Sequence, residues 1–144
     1  MALDPRSLPP EMLAFVRERH LASLTTLRPD SSPHVAPVGF TFEPETALAR
    51  VITFGSSRKV RNLCAAGSAR AALCQVDGGR WLTLEGMAVV TEDPLRVAEA
   101  VRRYAERYRQ PGPRADRVSV EITVDRVLGR VAPVRASGRT RPSG

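Results

Sequence analysis

Residues 21–54 read LASLTTLRPD SSPHVAPVGF TFEPETALAR VITF, and the fold class turns on this run. Val, Thr, Phe and Leu dominate Leu21–Arg28, Pro33–Phe42 and Ala47–Phe54 with a period of two, the alternation that turns one face of a β-strand toward a core. Arg28-Pro29-Asp30-Ser31-Ser32 and Glu43-Pro44-Glu45-Thr46 separate the three segments, and both are built from turn-forming residues. The run is therefore predicted to be a three-stranded antiparallel meander.

Working outward, Pro9 and Pro10 open a short apolar-periodic stretch, Met12, Leu13, Phe15 and Val16, which predicts a helix ending near His20. Downstream, Gly55-Ser56-Ser57 breaks the third strand. Arg58–Ala66 then reads as a short helix with a serine N-cap, Val60, Leu63 and Cys64 along one side, and Gly67 as its stop. Ala69–Asp77 and Arg80–Thr91 form a hairpin about Asp77-Gly78-Gly79. Asp93-Pro94 starts a helix carrying Val97, Ala98, Val101, Tyr104, Ala105 and Tyr108 at helical spacing, which ends before Pro111. In Arg117–Leu128, Val118, Val120, Ile122 and Val124 alternate with Ser119, Glu121 and Thr123, so the last strand is expected to keep one wet face. Six strands with inserted helices give a small barrel of the α+β class, mainly β.

At 144 residues and 42% hydrophobic, the chain suits one domain with a real core. Its formal charge of +7 invites a nucleic-acid reading, but residues 126–144 hold five arginines and no acid, leaving 17 bases against 15 acids in residues 1–125. A nearly neutral domain over 1–130 and a basic tail over 131–144, too rich in Arg, Ser, Gly and Pro to pack, follow from that division. A nucleic-acid module needs its basic patch on the fold, so no nucleic acid is expected as partner. The longest apolar run is five residues, Met12–Val16, against roughly 20 for a membrane span and about 7 for a signal peptide. No membrane association and a cytoplasmic location are expected. Cys64 and Cys74 stand in no disulfide or metal-ligand spacing, so no metal is expected, and both thiols are expected to be buried and inert.

Of 22 basic residues only Lys59 is lysine, and it lies in Ser56-Ser57-Arg58-Lys59-Val60-Arg61-Asn62. This segment begins a helix directly after a strand, where free backbone N–H groups and the helix dipole favour an anion. Two hydroxyls, a guanidinium, an ammonium and an amide within a turn and a half make a phosphate cradle. The alternative is an ordinary capped helix whose bases face solvent. No Gly-x-x-x-x-Gly-Lys-Ser/Thr and no Gly-x-Gly-x-x-Gly after a strand occurs, so neither common nucleotide-binding fold is available. His20 and His34 lack a nucleophile in an elbow context and read as structural. Trp81 is a candidate for core, subunit contact or stacking wall.

These segments in order resemble the flavin- and deazaflavin-binding split β-barrel family related to pyridoxamine 5′-phosphate oxidase. The resemblance extends over residues 11–130 and is closest to the coenzyme F420-dependent branch that includes biliverdin reductases. It is carried by His20–Leu27, by Ser32-Pro33-His34-Val35 with Val38–Phe42, by Ala49–Thr53, and by Lys59 with Asn62. Cys74–Gly78, Arg80-Trp81-Leu82, Leu84-Glu85-Gly86, Arg103–Arg109 and Arg126–Gly129 continue the series. The resemblance implies a homodimer of six-stranded antiparallel split barrels with short flanking helices and cofactor sites between the subunits. It implies that Ser57, Arg58, Lys59 and Asn62 hold the cofactor phosphate, and that Val38, Thr53, Gln75, Val76, Arg80 and Trp81 line the ring or tail. It further implies coenzyme F420 as cofactor and hydride transfer to a small conjugated acceptor such as biliverdin, with no catalytic residue singled out. FMN also carries a phosphate, so an FMN-dependent oxidase or reductase on the same fold, or a non-catalytic cofactor- or tetrapyrrole-binding protein, are the alternatives.

Overall fold

The computed structural model describes residues 3–132. The basic segment expected to be disordered lies, from residue 133 on, outside the described residues; Val131 still packs against the core. Helix α1 (Pro10–Arg17) precedes β1 (Ala22–Leu27), β2 (Pro33–Val38), β3 (Thr41–Glu43) and β4 (Leu48–Phe54). Then come α2 (Arg58–Ala66), β5 (Ala69–Asp77), β6 (Arg80–Thr91), α3 (Pro94–Arg107) and β7 (Arg117–Arg130). The class is α+β and mainly β, as expected. Among the described residues no helix is long and apolar enough to cross a membrane.

The strands form one antiparallel sheet of seven, in the order β2-β1-β5-β6-β7-β4-β3. Two corrections follow. Pro33–Phe42 is not one strand but two, broken at Gly39-Phe40, which raises the count from six to seven. Nor is residues 21–54 a meander: β2 pairs with β1, β3 pairs with β4, and the two halves lie at opposite edges of the sheet. The break fixes the shape. Six inter-strand steps of about 4.8 Å would put the edges of a flat sheet roughly 29 Å apart. From Val38 to Thr41 the chain spans at most about 11 Å. The sheet must therefore curl until its edges nearly meet, a barrel left open along one seam.

The interior is filled by inward-facing residues of β1, β4, β5, β6 and β7: Leu24, Val51, Leu73, Leu84, Val120, Ile122 and Val127 are all essentially inaccessible. Met12, Phe15 and Val16 of α1 close one end of the barrel. At about 1.5–3 kcal/mol for each large side chain removed from water, these residues dominate the stability. Between Glu85 and Gly86 the β6–β7 register shifts by a bulge. A Cβ at Gly86 would stand 1.9 Å from the Thr123 carbonyl oxygen, so the bulge requires glycine.

Helix α3 starts as predicted, with Asp93 Oδ1 accepting from the Leu95 N–H at 3.3 Å and Pro94 in the first turn. It covers the outer face of β7, which corrects the expectation of a wet face: Ser119 and Glu121 are buried, and Arg96 donates to both Glu121 oxygens at 2.7–3.1 Å. Strand alternation does not distinguish water from an ion-pairing helix. The cysteines depart from expectation too. Cys64 is exposed and Cys74 half-buried, because Cys64 lies on the solvent side of α2 and Cys74 on the outer face of β5.

Candidate functional site

Strand β4 ends at Phe54, and a turn closed by Ser57 N–H donating to the Phe54 carbonyl delivers the chain into α2. Ser57 occupies the N-cap position, but its hydroxyl makes no cap hydrogen bond; it lies 3.3 Å from Thr53 Oγ1 instead. The sequence reading expected a serine cap. Without one, the first-turn N–H groups lack the side-chain oxygen that would occupy them, and they remain available to an anion. No acidic residue stands in that first turn.

One turn on, Asn62 points into the barrel, where its Nδ2 donates to Thr26 Oγ1 at 3.0 Å while its Oδ1 has no partner. Thr26 pairs across the β1–β2 ladder with His34, whose Nδ1 is likewise buried and unpartnered. Burial holds the Lys59 ammonium below the usual lysine range. The His34 imidazole is pushed down by burial first, then by Arg28, Lys59 and Arg58. Among the described residues no carboxylate lies within ion-pair distance of Arg28, Arg58 or Lys59. This end of the barrel is therefore a concentration of positive charge with unfilled hydrogen-bonding capacity. His34 is the member that sequence reasoning missed; the only signal was its place opposite a buried threonine.

The other expected residues lie elsewhere. Val38 faces the interior opposite Ala22, and Gln75, next to Cys74, which pairs with Ser23, sits at that same level. Four residues of β1 separate Ala22 from Thr26, about 13 Å at 3.3 Å per residue. Within the chain the ten expected residues thus form two groups rather than one. Gln75 is buried with both ends of its amide engaged: Nε2 donates to the Phe15 carbonyl at 2.8 Å, and Oε1 accepts from Arg107 at 2.6 Å.

Arg107 also donates to the carbonyls of Glu18, His20 and Phe40 and stacks on the Phe40 ring at 4.5 Å. Tyr108 donates to the His20 carbonyl at 2.6 Å and accepts from Phe40 N–H at 3.2 Å. Burial lowers the affinity of Arg107 for its proton and raises that of Tyr108. Together they seal the open seam at the Gly39-Phe40 corner, where a Cβ on Gly39 would meet Tyr104 at 2.9 Å.

Arg80 bridges Glu18, at 2.6 and 3.0 Å, and Asp77. The guanidinium holds Glu18 below the usual carboxylate range, and the paired acids hold Arg80 above its own. Glu18, His20 and Asp77 bring ligand atoms within 4.8 Å of one another, a grouping that spacing alone did not signal, and Arg80 already neutralises both carboxylates. Val76 and Trp81 pair across β5–β6 and project from the outer face of the barrel. There Leu21, Ser23, Val35, Pro37, Cys74 and Val76 line a shallow, largely apolar groove of about 420 Å³. A second cleft, of about 490 Å³, lies between α1, β3 and α3, but its Arg103 is ion-paired to Glu43 and Glu99 and its Arg107 is engaged as above.

A family profile described as pyridoxamine 5′-phosphate oxidase matches residues 8–130. An F420H2-dependent biliverdin reductase of Mycobacterium tuberculosis (strain CDC 1551 / Oshkosh) is 57% identical over 119 residues, 83% of this chain and 85% of its own length. Among solved structures, a conserved hypothetical protein of Mycobacterium tuberculosis is similar with a TM-score of 0.73 at 22% identity, covering 93% of this chain and 94% of the other. An F420 reductase is similar with a TM-score of 0.68 at 23% identity, covering 84% and 98%. At these identities the two structures speak for the fold alone. The profile spans the whole barrel and the curated relative covers most of both chains, so the chain belongs to the pyridoxamine 5′-phosphate oxidase family.

Proposed function

We propose that the chain is a coenzyme F420-dependent oxidoreductase that reduces a conjugated acceptor of the biliverdin class. The observation that carries this reading is the uncompensated basic end of the barrel, found in a chain 57% identical to an F420H2-dependent biliverdin reductase. A phosphate-bearing coenzyme fits the residues present: an uncapped helix start with no acid in its first turn, and Arg58 and Lys59 without an ion-pair partner among the described residues. Arg58, Lys59 and Asn62, with the Thr53–Ser57 hydroxyl pair beside them, would hold the phosphate. When bound, the coenzyme supplies the hydride. The protein contributes position, charge and exclusion of water, in keeping with a site that needs no side-chain nucleophile.

The remaining assignments divide by what each side chain is free to do. Val38 forms an interior wall, and Val76, Trp81 and Arg80 would line the ring or tail from the outer face and the barrel end. Gln75 serves by fixing β5 against α1 and Arg107, since both ends of its amide are engaged. Residues separated by about 13 Å along β1 come into one site when it is shared between two copies. A homodimer is accordingly part of the proposal. The second copy would cover the outer groove, where Leu21, Val35 and Val76 are 61%, 60% and 59% exposed. Two unpaired cysteines, one of them exposed, suit a reducing cytoplasm.

Titration with coenzyme F420, followed by Trp81 fluorescence, and turnover of biliverdin with the reduced coenzyme test the reading together. Saturable quenching and biliverdin-dependent oxidation of the coenzyme are expected. Tight binding and turnover with FMN but not F420 would move the assignment to an FMN-dependent enzyme on this fold. F420 binding without reduction of any conjugated acceptor would leave a carrier protein.

A further inference from the structure

His34 has a place at the basic end that the family reading does not give it. It enters β2 directly opposite Thr26, on the row that faces inward with Ala36 and Val38. Thr26, itself buried, accepts from Asn62 Nδ2, so His34 and Asn62 flank one hydroxyl from two different elements. Each of the two carries a buried polar atom without a partner: Nδ1 of His34 and Oδ1 of Asn62, the latter in a side chain 3% exposed. One is a potential N–H donor and the other an acceptor.

The charges facing the imidazole are all of one sign. Arg28 comes from the end of β1, and Arg58 and Lys59 from the start of α2. Among the described residues none of the three is ion-paired to a carboxylate; Asp30 acts on Arg28 from beyond that distance. Under such a field, and partly desolvated, the imidazole stays neutral while the cradle is empty. A doubly charged anion placed among the same three cations offsets two of their three charges, which lowers the electrostatic cost of the imidazolium.

Building on the anion cradle of the functional reading, we propose that His34 is its proton-responsive member. A phosphate-class anion draws one proton from solvent onto the imidazole, and Asn62 Oδ1 accepts the Nδ1–H that results. Anion affinity then rises as pH falls through the His34 titration, which makes His34 a determinant of both charge preference and pH response at this end of the barrel.

The decisive measurement is the NMR titration of the two imidazoles with and without inorganic sulfate, which is doubly charged throughout this range and takes up no proton itself. His34→Gln assigns the signals. Saturating sulfate is expected to raise the His34 midpoint by a unit or more. In the wild type, sulfate binding should tighten about tenfold per unit of that rise on acidification, and it should lose this dependence in His34→Gln. An unmoved His34 midpoint overturns the proposal, and so does equal pH dependence in the two proteins. The wild-type titration stands even if the variant folds poorly. Coenzyme F420 is titrated in parallel. A His34 response to sulfate with no binding of F420 upholds the proposal and removes the functional reading, whereas F420 bound with His34 unmoved does the reverse.

Discussion

At the Lys59 end of the barrel, Arg58 and Lys59 have no acceptor among the described residues and His34 Nδ1 and Asn62 Oδ1 have no partner, while Arg28 donates to the Pro33 carbonyl of its own turn. At the other end, three basic side chains are matched with acceptors: Arg80 by Glu18 and Asp77, Arg107 by three backbone carbonyls and Gln75, and His20 within 3.6 Å of Glu18 and Asp77. Composition does not separate the two ends; charge balance does. A matched arginine end holds the seam of the barrel shut. An unmatched one is a debt of electrostatic energy that a bound anion relieves, which is why binding is assigned to that end and architecture to the other.

Replacing Arg107 by Met breaks the matched end most severely. It leaves the buried Gln75 amide oxygen without its donor and removes the guanidinium bonds to the Glu18 and Phe40 carbonyls, which keep the His20 N–H at 2.9 Å and the Tyr108 hydroxyl at 3.4 Å. At about 1–3 kcal/mol for the one unsatisfied group, and less than additively for the charge-assisted bonds lost with it, a total loss of about 3–4 kcal/mol is expected by urea denaturation. The melting temperature should fall by roughly 10–15 °C. Anion affinity of the folded protein should hold within about twofold, because the cradle lies some 13 Å along β1. A large affinity loss in folded Arg107→Met would join the two ends into one functional unit.

Lys59→Ala should do the opposite. Its ammonium is partly desolvated and unpaired, so removing it is expected to leave stability unchanged or slightly higher. Affinity for coenzyme F420 should weaken by about 1.5–3 kcal/mol, roughly 10- to 150-fold, the range for a hydrogen bond to a charged group. Calorimetry and thermal melting on one preparation check both signs. Lower stability with intact affinity would make Lys59 a structural residue and erase the contrast.

What the sequence revealed follows from where each signal resides. The β5–β6 hairpin was legible to its end residues because its alternation and its Gly78-Gly79 turn are local. The break at Gly39-Phe40 was not: Val38, Phe40 and Phe42 are all buried, so period two runs unbroken across the corner while the pairing partner changes from β1 to β4. Lys59 stood out as the single lysine of an arginine-rich chain. His34 did not, since its meaning depends on the β1–β2 register and on Asn62 reaching Thr26 from 36 residues away. The pairing of Arg80 and Arg107, likewise, is made by contacts of 62 and 89 residues in separation that no periodicity encodes.

The smallest expected effect separates the two ends by pH. In the ligand-free protein the His34 proton affinity is lowered from the ordinary histidine value of 6.5, so the unfolded chain takes up that proton more readily than the folded one. The stabilising contribution is present above about pH 6.5 and fades as pH falls toward the folded value. Glu18 is lowered from 4.5 by the Arg80 hydrogen bond, and Glu99 to about 2 by Arg102 and Arg103, so their contributions are intact above pH 4.5 and fade only below it. Both carboxylates are partly exposed, and screening limits each to well under about 1 kcal/mol. Stability followed by urea denaturation should therefore decline in two windows, a first below pH 6.5 that His34→Gln abolishes and a second below pH 4.5 that it leaves alone. Saturating sulfate should flatten or invert the first window, because the bound anion turns the imidazolium from a fourth repelled charge into a held one, and it should leave the second untouched. A first window that survives in His34→Gln would place the titrating group outside the cradle.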